Sequence, residues 1–371
     1  MVDLRSQYLE IKPEIDRKIQ EVIDSCAFIN GPAVRTFQQD LEKYLNVKHV
    51  IPCANGTDAL QVSMMALGLQ PGDEIITVSF TFIATVEVIA LLGLTPVFTD
   101  VDPDTFNIDP GAIERAITQK TKAIVPVHLF GQIAPMEEIM EIAGKHHLYV
   151  IEDACQAIGA DYYFADGSSR KAGTIGQIGC TSFFPSKNLG CYGDGGAIFT
   201  NDDKIAEQLR IIVNHGMAVR YYHDRIGVNS RLDSIQAAIL GVKLSHLDEY
   251  AQKRREAADF YDRAFSGHPN LKIPGRYAKS NHVFHQYTLV LNNTDRKGFQ
   301  DYLASKDIPA MIYYPVPLHL QKAFKDSLYK CGDLPVTEAL ANSVISLPMH
   351  TELDAEQLNY ITKSVLEFVN R

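Results

Sequence analysis

The first 25 residues of the chain carry apolar side chains at helical spacing. The apolar positions are Leu9, Ile11, Ile15, Ile19, Val22 and Ile23. Intervals of three and four residues place most of these side chains on one face of a helix, so the sequence predicts an amphipathic helix here. A turn at residues 28–32 contains Gly31 and Pro32 and interrupts the pattern. A second helix is predicted over residues 34–45.

From residue 49 onward, short apolar runs alternate with helical periodicity. The predicted strands are 49–53, 74–78, 95–100, 123–128 and 149–153, and the predicted helices are 57–67, 84–92 and 136–146. Strands that alternate with helices of about 10–15 residues are typical of βαβ units. The sequence therefore predicts an α/β fold with a mostly parallel sheet and helices on both faces. Ligands in such folds bind beyond the carboxyl ends of the strands.

The last third of the chain has a different pattern. A long charged helix is predicted over residues 244–265, and we interpret it as a connector. The elements predicted after it are strands at 287–291 and 310–314, a helix at 296–306 and a terminal helix from residue 354. We therefore predict a large domain at residues 1–245, followed at residues 246–371 by the connector helix and a smaller α+β domain.

Composition and charge exclude several classes of protein. Hydrophobic residues make up 46% of the 371 residues and charged residues 22%, which is ordinary for a globular protein and excludes general disorder. The net charge of −10, with no long basic run, disfavours nucleic acid and anionic membranes as partners. An anionic substrate would therefore need a local basic pocket.

The sequence also predicts where the protein resides. No stretch approaches the ~18 apolar residues of a membrane span, and residues 1–7 are polar rather than a signal-peptide core. The six cysteines include no C-x-x-C pair. These features predict a reduced, cytoplasmic protein without a metal site.

Lys187 and Asp153 are the candidate catalytic pair. Lys187 stands in a glycine-rich segment, residues 182–196, and Asp153 ends the apolar run 150–153. Pyridoxal phosphate needs these two groups: an amine forms an imine with its aldehyde, and a carboxylate keeps its pyridine nitrogen protonated. Alone, the lysine could be a solvated surface group and the aspartate a helix N-cap. Together with the phosphate-binding elements below, they favour the cofactor site.

A phosphate site is predicted at residues 55–60, which follow a short strand and open a helix. The backbone N–H groups near Gly56 and the hydroxyl of Thr57 would face an anion at the positive end of the helix dipole. The alternative is a turn that merely caps the helix. Ser182, five residues before Lys187, is the second predicted phosphate ligand, although a buried serine usually belongs to a hydrogen-bonded core.

Two further residues are candidates for contact with the cofactor ring. Gln156 lies three residues after Asp153, and its amide could hydrogen-bond the ring oxygen. The alternative is a helix-capping glutamine. Phe82 follows the predicted strand 74–78 and could stack on the pyridine ring, although phenylalanine is also a common core residue.

Six motifs of the chain resemble those of the DegT/DnrJ/EryC1/StrS family of sugar aminotransferases. They lie, in the family's order, at residues 55–60, 152–156, 182–187, 193–196, 214–216 and 227–238, and span essentially the whole chain. The resemblance implies a fold-type I pyridoxal-phosphate enzyme that forms a homodimer with two active sites at the subunit interface.

The same resemblance implies roles for individual residues. Lys187 would bind the cofactor covalently and move protons, while Asp153 and Gln156 would contact its ring. The phosphate would be held by Gly56, Thr57 and Ser182. Asn229 would reach the same phosphate from the neighbouring subunit.

Residues 313–321, the turn at 28–31 and the segment 191–193 carry a closer resemblance. They are similar to those of bacterial enzymes that aminate C3 of UDP-2-acetamido-2-deoxy-3-oxo-glucuronate in O-antigen synthesis. This similarity implies substrate contacts by Asn30, Tyr314 and His319. It also implies that Arg231 meets a carboxylate or a diphosphate.

The predicted reaction moves an amino group from glutamate to a keto-sugar nucleotide, most simply a UDP-linked 3-oxo sugar. A 4-keto or dTDP-linked sugar is an alternative, as is a non-catalytic regulator that keeps the fold. A sugar 3-dehydratase is disfavoured because such relatives have histidine where this chain has Lys187. A cysteine desulfurase would need a mobile cysteine, for which Cys191 is the candidate.

Overall fold

The computed structural model describes residues 1–324 and 328–371. Within these residues the helices are α1 Leu4–Ser25, α2 Pro32–Leu45, α3 Gly56–Ala66, α4 Ala84–Leu91, α5 Pro110–Ala116, α6 Met136–His146, α7 Asp203–Ile212, α8 Ser234–Leu244, α9 Leu247–Phe265, α10 Arg296–Ser305, α11 Pro335–Ser343 and α12 Ala355–Val369. The two N-terminal helices and most helices of the alternating region lie where the sequence predicts them.

Seven of the strands form one central sheet. The strands are β1 His49–Cys53, β2 Glu74–Val78, β3 Thr95–Thr99, β4 Thr121–Val125, β5 Tyr149–Asp153, β6 Asp161–Tyr163, β7 Ser169–Lys171, β8 Ile178–Ser182, β9 Gly196–Thr200, β10 Met217–Val219, β11 Tyr222–His223, β12 Leu271–Lys272, β13 Tyr287–Leu291 and β14 Val344–Leu347. The central sheet has the order β1-β9-β8-β5-β4-β2-β3. Strand β9 is antiparallel to β1 and β8, and the other neighbours are parallel. The predicted α/β class with a mostly parallel sheet is confirmed.

The central sheet is buried on both faces. Consecutive residues of one strand belong to different cores: Val150 packs into one apolar cluster and Ile151 into another on the opposite face. This double burial explains the near-continuous apolar runs in the sequence. Because β5 and β8 are parallel, Asp153 and Ser182 end at the same edge of the sheet.

A second, antiparallel sheet of β12, β13 and β14 lies in the C-terminal part of the chain. It shares a core with α9, α10 and α12, built from large buried side chains. These include Tyr261, Phe265, Tyr287, Phe299 and Val365. This arrangement agrees with an α+β unit, and the division of the chain at residues 245 and 246 stays a prediction.

Two predicted elements differ from the observed ones. The predicted helix 244–265 is two helices, because α8 ends at Leu244 and α9 begins at Leu247. The predicted strand 310–314 is reduced to a single bridge between Met311 and Ser346. Pro315 and Pro317 follow closely, and proline lacks the N–H that would extend the pairing. Tyr314 is thereby released from the sheet.

The buried carboxylate of Glu152 fixes the turn that precedes β8 against the end of β5. It accepts hydrogen bonds from the backbone N–H of Ile175 and Gly176 at 2.6 Å each and from that of Gly173 at 2.9 Å. The Nε2–H of His128 donates to it at 2.8 Å. That ring accepts at Nδ1 from the backbone of Ala134, so His128 is the neutral Nε2–H tautomer. Four donors thus converge on one carboxylate.

We predict that Glu152→Ala destabilises the protein by about 3 kcal/mol or more, because it leaves several buried donors without an acceptor. Urea unfolding followed by circular dichroism measures the loss. Glu114→Ala is the control, since that glutamate is paired with Lys145 at the surface and its loss should leave the midpoint unchanged. Equal midpoints for the two variants would contradict the assigned role of Glu152.

Candidate active site

A cavity of about 380 Å³ opens at the carboxyl edge of the central sheet. It brings together eight of the residues predicted from the sequence. These are Gly56, Thr57, Phe82, Asp153, Gln156, Ser182, Lys187 and Tyr314. They come from the start of α3, the loop after β2, the ends of β5 and β8, and the loop that precedes Pro315. A larger groove of about 530 Å³ between α1, α2 and α8 contains none of the predicted site residues.

The N-terminus of α3 forms a cradle for an anion. Asn55 caps the helix by accepting a hydrogen bond from the backbone N–H of Asp58 at 2.8 Å. A side chain at Gly56 would place its Cβ 2.8 Å from the Cβ of Ser182 and 2.9 Å from the Sγ of Cys155. Only glycine therefore leaves the backbone of the first turn open beside the Ser182 hydroxyl. Unpaired N–H groups and the helix dipole favour a phosphate there.

Lys187 contributes an amine that no carboxylate neutralises. The side chain is half-buried, and no salt bridge of Lys187 is found within residues 1–324 and 328–371. Burial lowers the pKa of Lys187, while the nearby Cys155 and Asp153 act in the opposite direction. A lowered pKa increases the fraction of free amine, which is the nucleophilic and basic form.

Asp153 is fixed in orientation by two donors. Its side chain is 5% exposed. One oxygen accepts from the Thr85 hydroxyl at 2.8 Å, and the other accepts from the backbone N–H of Cys155 at 3.2 Å. The carboxylate can therefore present a defined face to a cationic ring nitrogen.

Gln156 and Tyr314 form a second polar group in the cavity. The Gln156 carbonyl oxygen accepts from the backbone N–H of Phe130 at 2.7 Å, and its amide donates to the Tyr314 hydroxyl at 3.1 Å. One amide hydrogen of Gln156 is left for a ligand. Burial raises the pKa of Tyr314, so its phenol stays protonated. Phe82 lies at the rim, 55% exposed, with its ring centroid 6.5 Å from that of Tyr314.

Three predicted site residues lie outside the lining of the Lys187 cavity: Asn30, Asn229 and Arg231. Asn30 and Arg231 line a separate cleft of about 290 Å³ together with Arg35 and Arg210, and no carboxylate is among its described lining residues. The Arg231 Nε donates to the Asn229 side chain at 3.0 Å. The structure of the single chain thus does not bring these three residues to the Lys187 cavity.

His319 is part of a buried hydrogen-bond network rather than of the cavity lining. Its Nδ1 lies 2.7 Å from the Ser79 hydroxyl, and its Nε2 lies 3.2 Å from a carboxylate oxygen of Glu338. The side chain is almost fully buried. Both ring nitrogens are occupied, so His319 links the end of β2 to α11 instead of approaching a sugar.

Two cavity residues were missed by the sequence analysis. Thr85 lies in an apolar helix, α4, where nothing in the sequence marks it as the partner of Asp153. His285 lies in the mixed segment 282–286, just before β13, and reaches the cavity only through the tertiary fold. No motif in the sequence marks this histidine as functional.

The cavity fits pyridoxal phosphate on three independent grounds. Lys187 offers an amine for the aldehyde, the first turn of α3 offers an anion site that a Cβ would fill, and Asp153 offers a buried carboxylate for the ring nitrogen. Their convergence in one cavity is the arrangement that the sequence predicted.

The sequence matches the DegT/DnrJ/EryC1/StrS aminotransferase family over residues 9–366. The chain belongs to this family. It is 48% identical to the pleiotropic regulatory protein of Geobacillus stearothermophilus, with 99% of this chain and 98% of that protein covered. It is 45% identical to the UDP-2-acetamido-2-deoxy-3-oxo-D-glucuronate aminotransferase of Pseudomonas aeruginosa, with 97% of each covered.

The fold agrees with this assignment. The crystal structure of DesV from S. venezuelae superposes with a TM-score of 0.95 at 37% identity, over 100% of this chain and 98% of that one. The family assignment makes the protein an aminotransferase that depends on pyridoxal phosphate. The predicted enzyme class and cofactor are thereby confirmed.

We predict that Thr85→Val lowers kcat/KM about tenfold or more, because it removes a hydrogen bond to a charged group while keeping the side-chain shape. Thr85→Ser keeps the hydroxyl and should retain most of the activity. Steady-state kinetics and titration of the cofactor-free protein with pyridoxal phosphate measure the effect. If Thr85→Val and Thr85→Ser behave alike in both measurements, Thr85 does not position Asp153.

Proposed function

We propose that the protein transfers an amino group from glutamate to a UDP-linked 3-oxo sugar, for the synthesis of a cell-surface polysaccharide such as O-antigen. The observation that carries the proposal is the unpaired amine of Lys187 in one cavity with Asp153 and the phosphate cradle of α3. The similarity to the Pseudomonas aeruginosa enzyme, whose substrate is a UDP-linked 3-oxo sugar, supports this substrate class.

The proposed roles follow from the geometry of the cavity. When bound, pyridoxal phosphate supplies an electron sink for the carbon that carries the amino group. Lys187 would provide the covalent attachment and then act as the base that moves the proton, since burial lowers its pKa. Asp153 would hold the ring nitrogen protonated. Gly56, Thr57 and Ser182 would bind the phosphate, and Phe82 and Gln156 would contact the ring.

The cleft of Asn30 and Arg231 supports an anionic substrate. Arg35, Arg210 and Arg231 line it, and no acidic side chain is among the described residues of that lining. The whole chain has a net charge of −10. The three arginines form a locally positive site in a protein of negative net charge. Such a site suits the diphosphate or carboxylate of a nucleotide sugar.

We also infer that the protein acts as a homodimer. Asn229 and Arg231 lie outside the Lys187 cavity of their own subunit, so the proposed contacts to phosphate and substrate would come from a partner subunit. The hairpin of β10 and β11 and the residues just after it carry exposed apolar side chains. Tyr221 is 75% exposed and Tyr222 69% in the hairpin, and Ile226, which follows it, is 85% exposed. Apolar surface of this kind is typical of an interface.

Two alternative functions are disfavoured by specific observations. The Cys191 thiol is buried and donates to the carbonyl oxygen of Phe183 at 3.0 Å, and burial raises its pKa to about 11. It is therefore unsuited to carry sulfur as a mobile desulfurase cysteine. The name of the Geobacillus stearothermophilus relative suggests a purely regulatory role. Such a role does not explain why Lys187, Asp153 and the anion cradle of α3 lie in one cavity.

We place the reaction in the cytoplasm, where sugar nucleotides are made. None of the helices in the described parts of the chain has the length and apolarity needed to cross a membrane. All six cysteines are free thiols, as expected in a reducing compartment.

The substrate is tested with a panel of UDP- and dTDP-linked 3-keto and 4-keto sugars, each incubated with glutamate and analysed by mass spectrometry. We expect amination of a UDP-linked 3-oxo sugar and a shift of the cofactor absorption band on addition of glutamate alone. Lys187→Ala should abolish both, because it removes the amine and the base. Normal turnover by Lys187→Ala would contradict the proposal, and preference for a dTDP-linked or 4-keto sugar would overturn the substrate assignment.

The shared site is tested by mixing two defective subunits. Asn229→Asp would place a carboxylate against the phosphate and lower activity by like-charge repulsion. A heterodimer of Lys187→Ala and Asn229→Asp subunits would contain one doubly defective site and one intact site. Co-expression should therefore restore about a quarter of wild-type activity if the subunits pair at random. No recovery in verified heterodimers would show that Asn229 does not act across the interface.

A further inference from the structure

His285 is a buried imidazole that faces the Lys187 cavity without a partner. The side chain is 5% exposed and lines the cavity with Lys187, Asp153 and Tyr314. Its Nδ1 is buried and accepts or donates no hydrogen bond within residues 1–324 and 328–371. Leaving a buried polar atom without a hydrogen bond is unfavourable, so such groups are uncommon unless a ligand or a reaction uses them.

The backbone around His285 is held firmly in place. A guanidinium nitrogen of Arg254 donates to the carbonyl oxygen of Phe284 at 3.1 Å. The Asn188 side chain donates to the carbonyl oxygen of Val283 at 3.0 Å. The backbone N–H of Val283 donates to the carbonyl oxygen of Gly131 at 2.9 Å. Since Asn188 directly follows Lys187, the two segments that carry the amine and the imidazole are tied to each other.

The charge state of the ring follows from its surroundings. Burial lowers the pKa of His285 well below its ordinary value, and the cations Lys187 and Arg254 lower it further. The ring is therefore neutral at physiological pH and presents one N–H donor and one nitrogen acceptor. The Lys187 amine has no carboxylate partner among the described residues, and the neutral imidazole in the same cavity lining offers it an acceptor.

We propose that His285 is a positioning residue for Lys187. The two side chains line one cavity without a hydrogen bond between them in the structure, and during the reaction the free amino group would donate one to the imidazole and so be oriented into the cavity. The inference rests on the proposed aminotransfer function and assigns to His285 a role in the step that Lys187 performs. Asp153 could not serve as this acceptor, because its negative charge would keep the Lys187 amine protonated.

The neighbouring His282 offers a matched control. It is also buried, and burial lowers its pKa to about 3, but its Nδ1 accepts from the backbone N–H of Phe284 at 3.0 Å. Its ring stacks on that of Phe284 with centroids 3.8 Å apart. His282 thus has a structural hydrogen bond and lies outside the cavity lining, whereas His285 has none and faces the cavity.

The test compares His285→Phe, His285→Gln and His282→Phe. For His285→Phe we expect a kcat about tenfold lower or more, with the KM for glutamate and for the sugar nucleotide within about twofold. His285→Gln keeps an acceptor and should recover most of the lost kcat. In the cofactor-free protein, His285→Phe should leave the melting temperature unchanged or raise it, because an unpartnered polar ring is replaced by an apolar one. His282→Phe should lower the melting temperature and leave kcat unchanged.

Each other outcome overturns the inference. A clear fall in the melting temperature of cofactor-free His285→Phe would show a structural role, and a raised KM with unchanged kcat would show a substrate contact. Wild-type kcat for His285→Phe would remove the role altogether. In all three cases the proposed aminotransfer function would still hold if the Lys187→Ala variant is inactive. An active Lys187→Ala variant would contradict both the proposed function and the role of His285.

Discussion

The position of β5 in the middle of the central sheet is the constraint on which the active site depends. Its last two residues are carboxylates, and successive side chains of a strand point to opposite faces. Glu152 therefore binds His128 and the turn before β8, while Asp153 faces the cavity. The hydrogen bonds of Glu152 fix the end of β5, and the same strand end carries Asp153. The structural carboxylate therefore also positions the functional carboxylate.

The separation of Lys187 from Asp153 is as important as their common cavity. An ion pair between them would hold the amine protonated, because an opposite charge at short range favours the charged form. No such pair occurs in the described residues, and Thr85 and the Cys155 backbone occupy the oxygens of Asp153 instead. The two groups can thus act on opposite ends of one ring, which is the arrangement that a cofactor between them requires.

The sequence predicted the parts of the protein that rest on contiguous patterns. Each strand of the parallel sheet, the turn at Gly56 and the Lys187 segment is encoded within a few consecutive residues. The strands form as predicted, and Gly56 and Lys187 line one cavity. The predictions differ from the structure where tertiary contacts decide the position of a side chain. His319 was predicted to approach the sugar, and its ring nitrogens lie against Ser79 and Glu338 outside the cavity lining. Thr85 carries no local signal because its partner, Asp153, lies 68 residues away along the chain. His285 carries none because only the tertiary fold brings it to the cavity.

The polar groups around Lys187 show a balance between stability and function. Nδ1 of His285 is a buried atom without a hydrogen-bond partner in the described part of the chain, and its ring lines the cavity together with Lys187. The free energy of burying this atom is unfavourable in the protein alone. A donor that reaches the imidazole in the occupied cavity recovers that free energy, so it stabilises the folded state. The cavity is therefore organised for its bound state, and the surrounding buried sheet is what keeps it formed before binding.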